Sequence, residues 1–355
     1  MKRYWSSRIR ALTPYTPGEQ PKNRQFIKLN TNENPYPPSP LALQAISQRA
    51  DDSLRLYPDP EAGELISALS ENYGLDPKEV FVGNGSDEVL AFAFQAFFSP
   101  GSTIVYPDVT YSFYPVYADL FAINSRRIPL QPDFTVPVQA FLGGNDGVVL
   151  ANPNAPTGIE LPQESIRRIL EANRDVVVIV DEAYVDFGGQ SALPLIREYP
   201  NLLVVQTTSK SRALAGLRVG FAFGHPDLIA GLNCVKNSFN SYTMDRLAIA
   251  GAAASVRDQA YFDRQREKVM ATRDRTAEEL SRLGFQVLPS KSNFLFACHP
   301  RLDARTIFQG LRTRGILVRY FDQPRIDQYL RITIGTDQDM QALTAAMDEI
   351  LHTGA

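Results

Sequence analysis

The fold is best inferred from residues 201–220, which have the sequence NLLVVQTTSKSRALAGLRVG. The apolar run Leu202–Gln206 predicts a buried strand, and hydroxyl side chains, Lys210 and Arg218 follow it. A lysine at the mouth of a buried strand is costly unless it is paired or takes part in chemistry. Here an amine that can form a Schiff base stands beside hydroxyls and a guanidinium that can hold a phosphate.

Short apolar runs of the same kind alternate with helical stretches through the first two thirds of the chain. The predicted strands are Val80–Val82, Thr103–Tyr106, Ser125–Ile128, Val148–Ala151, Val176–Val180, Leu202–Gln206 and Val219–Phe223. Continuous apolar strands indicate a mostly parallel sheet that is covered on both faces, and therefore an α/β domain. Ligands of such sheets bind at the carboxyl ends of the strands.

The segments on either side of this pattern differ from it. Residues 1–38 show little periodicity and predict an N-terminal arm, so the large domain is expected to span residues 39–245. Residues 246–355 predict a smaller α+β domain. Its expected strands are Phe285–Leu288, Asn293–Ala297, Ile316–Arg319 and Leu330–Ile334. The helices expected along the chain are Leu41–Ala50, Gly63–Tyr73, Asp87–Phe98, Pro162–Asn173, Asp263–Leu283, Ala304–Arg314 and one from about Asp337.

Composition excludes several classes of function. Basic and acidic residues nearly balance, with a net charge of −3, which does not favour binding to nucleic acid or to an anionic membrane surface. Two distant cysteines, Cys234 and Cys298, predict reduced thiols in a cytoplasmic protein. Three histidines without an HExxH motif make a histidine-built metal site improbable, and we expect no metal. Neither a secretory signal nor a long apolar span is expected.

A glycine-rich turn follows the first predicted strand and opens a helix. Residues 83–88 have the sequence GNGSDE, in which Gly85, Ser86 and Asp87 stand at the helix start. Free backbone N–H groups at a helix N-terminus bind anions, and glycine allows close approach. The motif is neither a P-loop nor a dinucleotide fingerprint, because the lysine and the third glycine are missing. An ordinary turn with Ser86 as its N-cap would have the same sequence.

Two further segments follow strands. The segment Tyr106–Tyr114 includes Tyr111, which can stack on a flat ring, although core aromatics would look alike. Residues 152–158, with the sequence NPNAPTG, form a rigid corner at which Asn152 or Asn154 can reach a ligand oxygen. A simple turn is the alternative there.

The strand Val176–Val180 delivers Asp181 into a site that we expect to be dry. A buried carboxylate requires a cationic partner, and the pyridinium nitrogen of pyridoxal phosphate is one. A protonated nitrogen makes that ring an electron sink. A helix-capping aspartate and a magnesium ligand are the alternatives, and the missing P-loop argues against the second. Together with Lys210 and Arg218, Asp181 predicts a pyridoxal phosphate site.

With these residues assembled, the chain resembles the fold-type I pyridoxal-phosphate aminotransferases and, among them, the histidinol-phosphate group. The resemblance covers nearly the whole length. The motifs that carry it are LNTNENPYPP at 29–38, YPDP at 57–60, GNGSDE at 83–88, DEAY at 181–184, SK at 209–210 with AGLRVGF at 215–221, and LRITIGT at 330–336.

The resemblance implies a role for each matching residue. Lys210 carries the cofactor and later moves a proton, Asp181 pairs with the ring nitrogen, Tyr184 bonds the ring hydroxyl oxygen and Tyr111 stacks on the ring. Arg331 binds the substrate's anionic group, with Arg319 and Tyr15 holding a substrate phosphate. The cofactor phosphate is expected to contact Gly85, Ser86, Asp87, Thr207, Ser209, Arg218 and, across a homodimer with shared active sites, Tyr57.

One departure concerns the family asparagine that precedes Pro-Thr-Gly and contacts the ring oxygen. Ala155 occupies that position, so Asn152 or Asn154 takes over the contact or the contact is missing. The implied reaction passes an amino group from glutamate to imidazole-acetol phosphate, giving L-histidinol phosphate and 2-oxoglutarate in histidine biosynthesis. An aromatic amino-acid aminotransferase, a threonine-phosphate decarboxylase and a non-catalytic regulatory protein on the same scaffold remain open alternatives.

Overall fold

A computed structural model describes residues 3–20 and 26–353 of the chain. The parts of the predicted arm and small domain at residues 1–2, 21–25 and 354–355 lie outside the described residues. The helices are α1 (Ser7–Ala11), α2 (Pro40–Arg49), α3 (Gly63–Tyr73), α4 (Gly85–Phe97), α5 (Tyr114–Phe121), α6 (Gln163–Ala172), α7 (Pro226–Phe239), α8 (Arg246–Arg257), α9 (Gln259–Arg282), α10 (Ala304–Thr313) and α11 (Asp337–Thr353). The strands are β1 (Ile27–Lys28), β2 (Val80–Asn84), β3 (Thr103–Pro107), β4 (Asn124–Ile128), β5 (Gly147–Ala151), β6 (Val178–Asp181), β7 (Leu202–Thr207), β8 (Val219–Gly224), β9 (Gln286–Val287), β10 (Phe294–Cys298), β11 (Ile316–Leu317), β12 (Arg319–Tyr320) and β13 (Leu330–Thr333).

The large sheet has the seven predicted strands, in the order β2-β8-β7-β6-β5-β3-β4. Strands β7, β6, β5, β3 and β4 are mutually parallel, which confirms a mostly parallel α/β sheet. Along β7, Leu202 and Val204 pack into one hydrophobic core, whereas Leu203 and Val205 pack into another. Both faces of the sheet are therefore buried along its inner strands, which explains why these strands are continuously apolar, whereas the edge strand β4 is polar and exposed except at Ile128.

Strand β8 is antiparallel to both of its neighbours. Its second residue, Gly220, therefore lies opposite Thr207 at the end of β7, and Val219 lies opposite Asn84 at the end of β2. Arg218 precedes β8, so the reversed direction brings its guanidinium to the edge where the other strands end. Asp181, the last residue of β6, lies at this edge as well.

A second layer of strands follows α9 and has a core of its own. Strands β12, β13, β10 and β9 form an antiparallel sheet, and its apolar residues pack with α10 and α11. The prediction of one strand over Ile316–Arg319 is wrong. Ile316–Leu317 pairs with Ile27–Lys28 in a separate two-stranded sheet, whereas Arg319 pairs with Arg331. An apolar run shows that residues are buried but does not identify their partners.

The predicted boundaries at residues 38 and 245 stay a prediction. No helix in residues 3–20 and 26–353 is long and apolar enough to cross a membrane.

Candidate functional site

A cleft of about 310 Å³ opens at the sheet edge where β2, β3, β5, β6 and β7 end and β8 begins. The residues predicted from the sequence that line it are Tyr15, Ser86, Asp87, Tyr111, Asp181, Tyr184, Thr207, Ser209, Lys210, Arg218, Arg319 and Arg331. Parallel strands place their carboxyl ends together, which is why motifs far apart in the chain meet here.

Lys210 lines this cleft. Its Nζ donates to the Thr31 carbonyl oxygen at 3.4 Å and lies 5.8 Å from the centre of the Tyr184 ring. Within the described ranges, no carboxylate forms an ion pair with this amine. The amine is thus placed to react with a carbonyl group of a bound molecule.

Asp181 lies at the end of β6 and is 5% exposed. Burial raises the pKa of its carboxyl group to about 6, although hydrogen bonds from the Tyr114 hydroxyl at 2.9 Å and the Ala183 N–H at 3.2 Å oppose that shift. A carboxylate so buried is stabilised by a cation. The Asp181 carboxylate, as a buried acceptor, therefore fits a protonated ring nitrogen.

Two tyrosines flank the cleft, each held by a polar partner. The Tyr184 hydroxyl oxygen accepts from Asn32 Nδ2 at 2.9 Å. The Tyr111 hydroxyl donates to Asp87 Oδ1 at 2.8 Å, and Arg218 Nη2 contacts the other Asp87 oxygen at 3.2 Å. Burial, with the Asp87 charge second, raises the pKa of Tyr111 well above its ordinary value, so the hydroxyl keeps its proton.

A candidate cradle for a phosphate is formed where α4 begins. The first backbone N–H groups of a helix have no partner within it, and Ser86 and Asp87 occupy such positions. Gly85 has φ +83° and does not line the cleft, but a Cβ there would lie 2.6 Å from Arg218 Nη2. A Cβ on Gly220 would lie 2.2 Å from the Ser86 nitrogen. Glycine at position 85 therefore keeps the space beside the Arg218 guanidinium clear, and glycine at position 220 lets β8 approach the backbone at the start of α4.

Hydroxyl groups complete the cradle from the side of β7. Thr207 Oγ1 and Ser209 Oγ are 3.0 Å apart, and the Thr207 hydroxyl lies 2.9 Å from the Val219 carbonyl oxygen. Together with the helix N-terminus and Arg218, this donor set is the one a phosphate monoester requires. The fit of the whole cleft to pyridoxal phosphate thus rests on an amine, a buried carboxylate and this cradle.

Asn152 and Asn154 do not line the cleft. The Asn152 amide exchanges hydrogen bonds with the backbone of Leu161 at 3.0 and 2.8 Å. The Asn154 side chain contacts the Val109 carbonyl, Thr110 and Thr157. Both amides brace their own loop, and Ala155 faces the cleft in their place.

Tyr57 is also absent from the cleft lining and is 78% exposed. Its ring stacks on Tyr242 at 4.6 Å, and its carbonyl accepts from Arg246 Nη2 at 3.2 Å. The structure therefore holds this ring on the outer surface of the chain.

Two arginines of the small antiparallel sheet, Arg319 and Arg331, line the cleft. In the β12–β13 register, Arg319 lies directly opposite Arg331, and like charges in such pairs destabilise a sheet unless an anion joins them. Arg331 Nη2 donates to the Asn30 carbonyl at 3.0 Å, whereas its buried Nε has no partner among the described residues. Burial, with Arg319 adding to it, lowers the pKa of Arg331. This pair is suited to an anionic group of a ligand.

Other residues of the site were missed by sequence reasoning. Asn32 donates a hydrogen bond to Tyr184, and Tyr114 donates one to Asp181. Both residues lie in segments that the sequence analysis singled out, 29–38 and 106–114, but without a role of their own. Tyr15 lies in the cleft as expected and stacks on Phe113 at 4.5 Å. Ring-facing contacts of this kind depend on how distant segments pack, and residue type alone does not specify them.

Comparison with known proteins gives consistent matches. Residues 24–347 match the family model described as aminotransferase class I and II. The chain is 55% identical to histidinol-phosphate aminotransferase of Clostridium acetobutylicum, over 99% of both chains. It is 56% identical to the enzyme of that name from a Marinomonas species, over 98% of this chain and 99% of the relative. The crystal structure of histidinol-phosphate aminotransferase from Sinorhizobium meliloti in complex with pyridoxal-5'-phosphate matches with a TM-score of 0.89 at 26% identity, covering 99% of this chain and 98% of that one.

Proposed function

Because this chain belongs to the class I and II aminotransferases, we propose that it transfers an amino group between L-histidinol phosphate and 2-oxoglutarate in histidine biosynthesis. The products are imidazole-acetol phosphate and glutamate. Its cofactor is pyridoxal phosphate. The observation that carries the substrate assignment is the opposed pair Arg319 and Arg331, which offers two guanidinium groups to an anion in the cleft that Lys210 also lines.

Each residue around the cofactor site has one task in this proposal. When bound, pyridoxal phosphate supplies an electron-accepting ring that stabilises negative charge at the substrate's α-carbon. Asp181 keeps the ring nitrogen protonated, and the Tyr184 hydroxyl donates to the ring oxygen. Lys210 Nζ takes the proton from the α-carbon and returns it as general acid. Tyr111 covers the ring, with its hydroxyl fixed by Asp87.

The phosphate cradle anchors the cofactor rather than taking part in proton transfer. Ser86 and Asp87 contribute backbone N–H groups, Thr207 and Ser209 contribute hydroxyls, and Arg218 contributes charge. Anchoring at this end keeps the reacting carbon in place while Lys210 moves the proton, which is the positional contribution to catalysis.

We place the active enzyme in a cytoplasmic homodimer. Tyr57, whose ring stacks on Tyr242, is exposed, as are the apolar side chains of Leu54, Leu56 and Phe239, and exposed apolar surface of this kind is typical of a subunit interface. In a two-fold dimer the same patch of each subunit meets its copy, so that Tyr57 of each subunit can reach the cradle of the other.

The reaction is tested by incubating the purified enzyme with L-histidinol phosphate and 2-oxoglutarate and measuring the glutamate formed. Phenylalanine as donor tests the aromatic aminotransferase alternative, and release of carbon dioxide from phosphothreonine tests the decarboxylase. We expect glutamate to form fastest with L-histidinol phosphate. Saturating L-histidinol phosphate without turnover would refute the assignment, whichever other substrate reacts.

The shared site is tested by mixing Tyr57→Phe subunits with Lys210→Ala subunits. Each variant alone is expected to have low activity. A hybrid dimer then has one site with both native residues, so an equal mixture is expected to recover about a quarter of the native activity. A mixture no more active than the two separate variants would show that Tyr57 does not act across subunits.

A further inference from the structure

Asn32 connects three parts of the molecule at the cofactor site. Its side chain is 1% exposed, its backbone has a left-handed φ of +58°, and it lines the cleft. The amide Nδ2 donates to the Tyr184 hydroxyl oxygen at 2.9 Å. Its carbonyl accepts from Asn293 Nδ2 at 3.0 Å, and its backbone N–H donates to Thr333 Oγ1 at 3.0 Å.

The neighbouring hydroxyl determines which way the Asn32 amide faces. Thr333 Oγ1 accepts from the Asn32 backbone N–H, so its own hydrogen is free to donate to Asn32 Oδ1, 2.9 Å away. With Oδ1 used in this way, the NH₂ group is turned to Tyr184. Thr333 in β13 and Asn293 next to β10 thus both form hydrogen bonds with Asn32. The small sheet and its flanking segment therefore help to fix the position of Asn32.

The Tyr184 hydroxyl has one hydrogen to donate. Because Asn32 supplies a donor to its oxygen, that hydrogen must point elsewhere, and no acceptor for it occurs among the described residues. The ring oxygen of the cofactor is the acceptor in the proposed function. Ala155 faces the cleft where the family resemblance implies an asparagine, which leaves Tyr184 to make this contact without that amide.

We propose that Asn32 is a positioning residue that directs the Tyr184 hydroxyl at the cofactor's ring oxygen. Thr333 and Asn293 hold Asn32 in place by hydrogen bonds and so help to fix the position of that hydroxyl. The proposal rests on the Tyr184 contact assumed in the proposed function. A donor at the ring oxygen competes with the proton held at Lys210 Nζ for that oxygen's electron pairs. Weakening the donor therefore raises the pKa at which the Nζ proton leaves.

The charged groups around Tyr184 stay in place when Asn32 is changed. Lys210 lies over its ring, Arg331 and Tyr114 interact with it electrostatically, and Arg319 lies opposite Arg331 in the strand register. Asp181 accepts a hydrogen bond from Tyr114. None of these groups is a hydrogen-bond partner of the Asn32 side chain. A change in the titration then reports on the hydroxyl rather than on a lost charge.

The test uses the substrate-free holoenzyme and follows the cofactor's visible absorption band against pH. Asn32→Gly removes the amide and tolerates the left-handed backbone, whereas Asn32→Ala removes the amide with added strain. We expect Asn32→Gly to raise the apparent pKa of the band by about 0.5 to 1 unit. Tyr184→Phe is expected to raise it at least as much, and the double variant no further than Tyr184→Phe alone.

Asn173→Ala serves as the matched control. This asparagine is buried, donates to the Phe141 and Ile169 carbonyls at 2.8 and 2.7 Å and does not line the cleft, so we expect its loss to lower stability without moving the band. The inference would be overturned if the band of Asn32→Gly titrated like that of the native enzyme. It would also be overturned if the pKa shifts of the two single variants added up in the double variant. An unshifted Tyr184→Phe would overturn the Tyr184 contact with it, and the transamination assay would still decide the reaction independently.

Discussion

Arg319→Gln should separate phosphate recognition from chemistry. Arg319 lies across from Arg331 in the small antiparallel sheet, whereas Lys210 and Asp181 line the same cleft from the large sheet. A hydrogen bond from a guanidinium to a phosphate contributes about 1.5 to 3 kcal/mol. Arg319 is only partly buried, so solvent screening favours the lower part of that range, about 1.5 to 2 kcal/mol. We therefore expect kcat/KM for L-histidinol phosphate to fall about 10- to 30-fold.

The assay compares L-histidinol phosphate with L-histidinol, which lacks only the phosphate. The variant is expected to lower kcat/KM for L-histidinol less than about 3-fold, because the lost contact is made to the missing group. Arg305→Gln is the control, since Arg305 pairs with Asp322 at 2.8 Å near the same strand but does not line the cleft.

Two results would refute this reasoning. An equal loss with both substrates would mean that Arg319 supports the fold of the cleft rather than the phosphate. An unchanged kcat/KM for L-histidinol phosphate would mean that the phosphate binds elsewhere.

Other substitutions test the cofactor site. Gly220→Ala would place a Cβ 2.2 Å from the Ser86 nitrogen, so we expect lower thermal stability and at least about tenfold weaker cofactor binding, measured by fluorescence titration; native affinity would contradict this. Lys210→Ala should lose transamination while its far-UV circular dichroism stays native, and retained activity would refute its role. Asp181 has a folded pKa raised to about 6, above its unfolded value, so its protonated form stabilises the cofactor-free protein. That contribution is complete below about pH 4 and is lost as pH rises through 6, and Asp181→Asn should abolish this part of the pH dependence in urea unfolding.

Much of the fold could be predicted because burial leaves a local signature. Six of the seven strands of the large sheet appear as apolar runs, whereas β4 is a polar edge strand, and α3 is predicted at Gly63–Tyr73, where the structure has it. Prediction failed where partners had to be chosen. The run from Ile316 to Arg319 looked like one strand, yet its two halves belong to different sheets. Helix α7 was also missed, although His225 caps it and Pro226 occupies its first position.

The site divides in the same way. Lys210, Asp181 and Arg218 stand out because each is a charged residue next to an apolar strand, which is unusual without a partner. Asn152 and Asn154 looked equally suited to a ligand, but their amides are consumed by their own loop. Whether an amide faces a cleft or a backbone depends on loop geometry, and residue type does not specify that geometry.

The sequence by itself determined which chemical groups the protein can use, because apolar runs and the polar residues that end them are local properties of the chain. Only the tertiary structure decided how these groups face one another. The reversal of β8 brings Arg218 to the cradle, and the β12–β13 register sets Arg319 against Arg331. The hydrogen bond from Asn32 to Tyr184 joins residues 152 positions apart. Strand direction, register and such contacts are set by packing between distant segments, which no local pattern records.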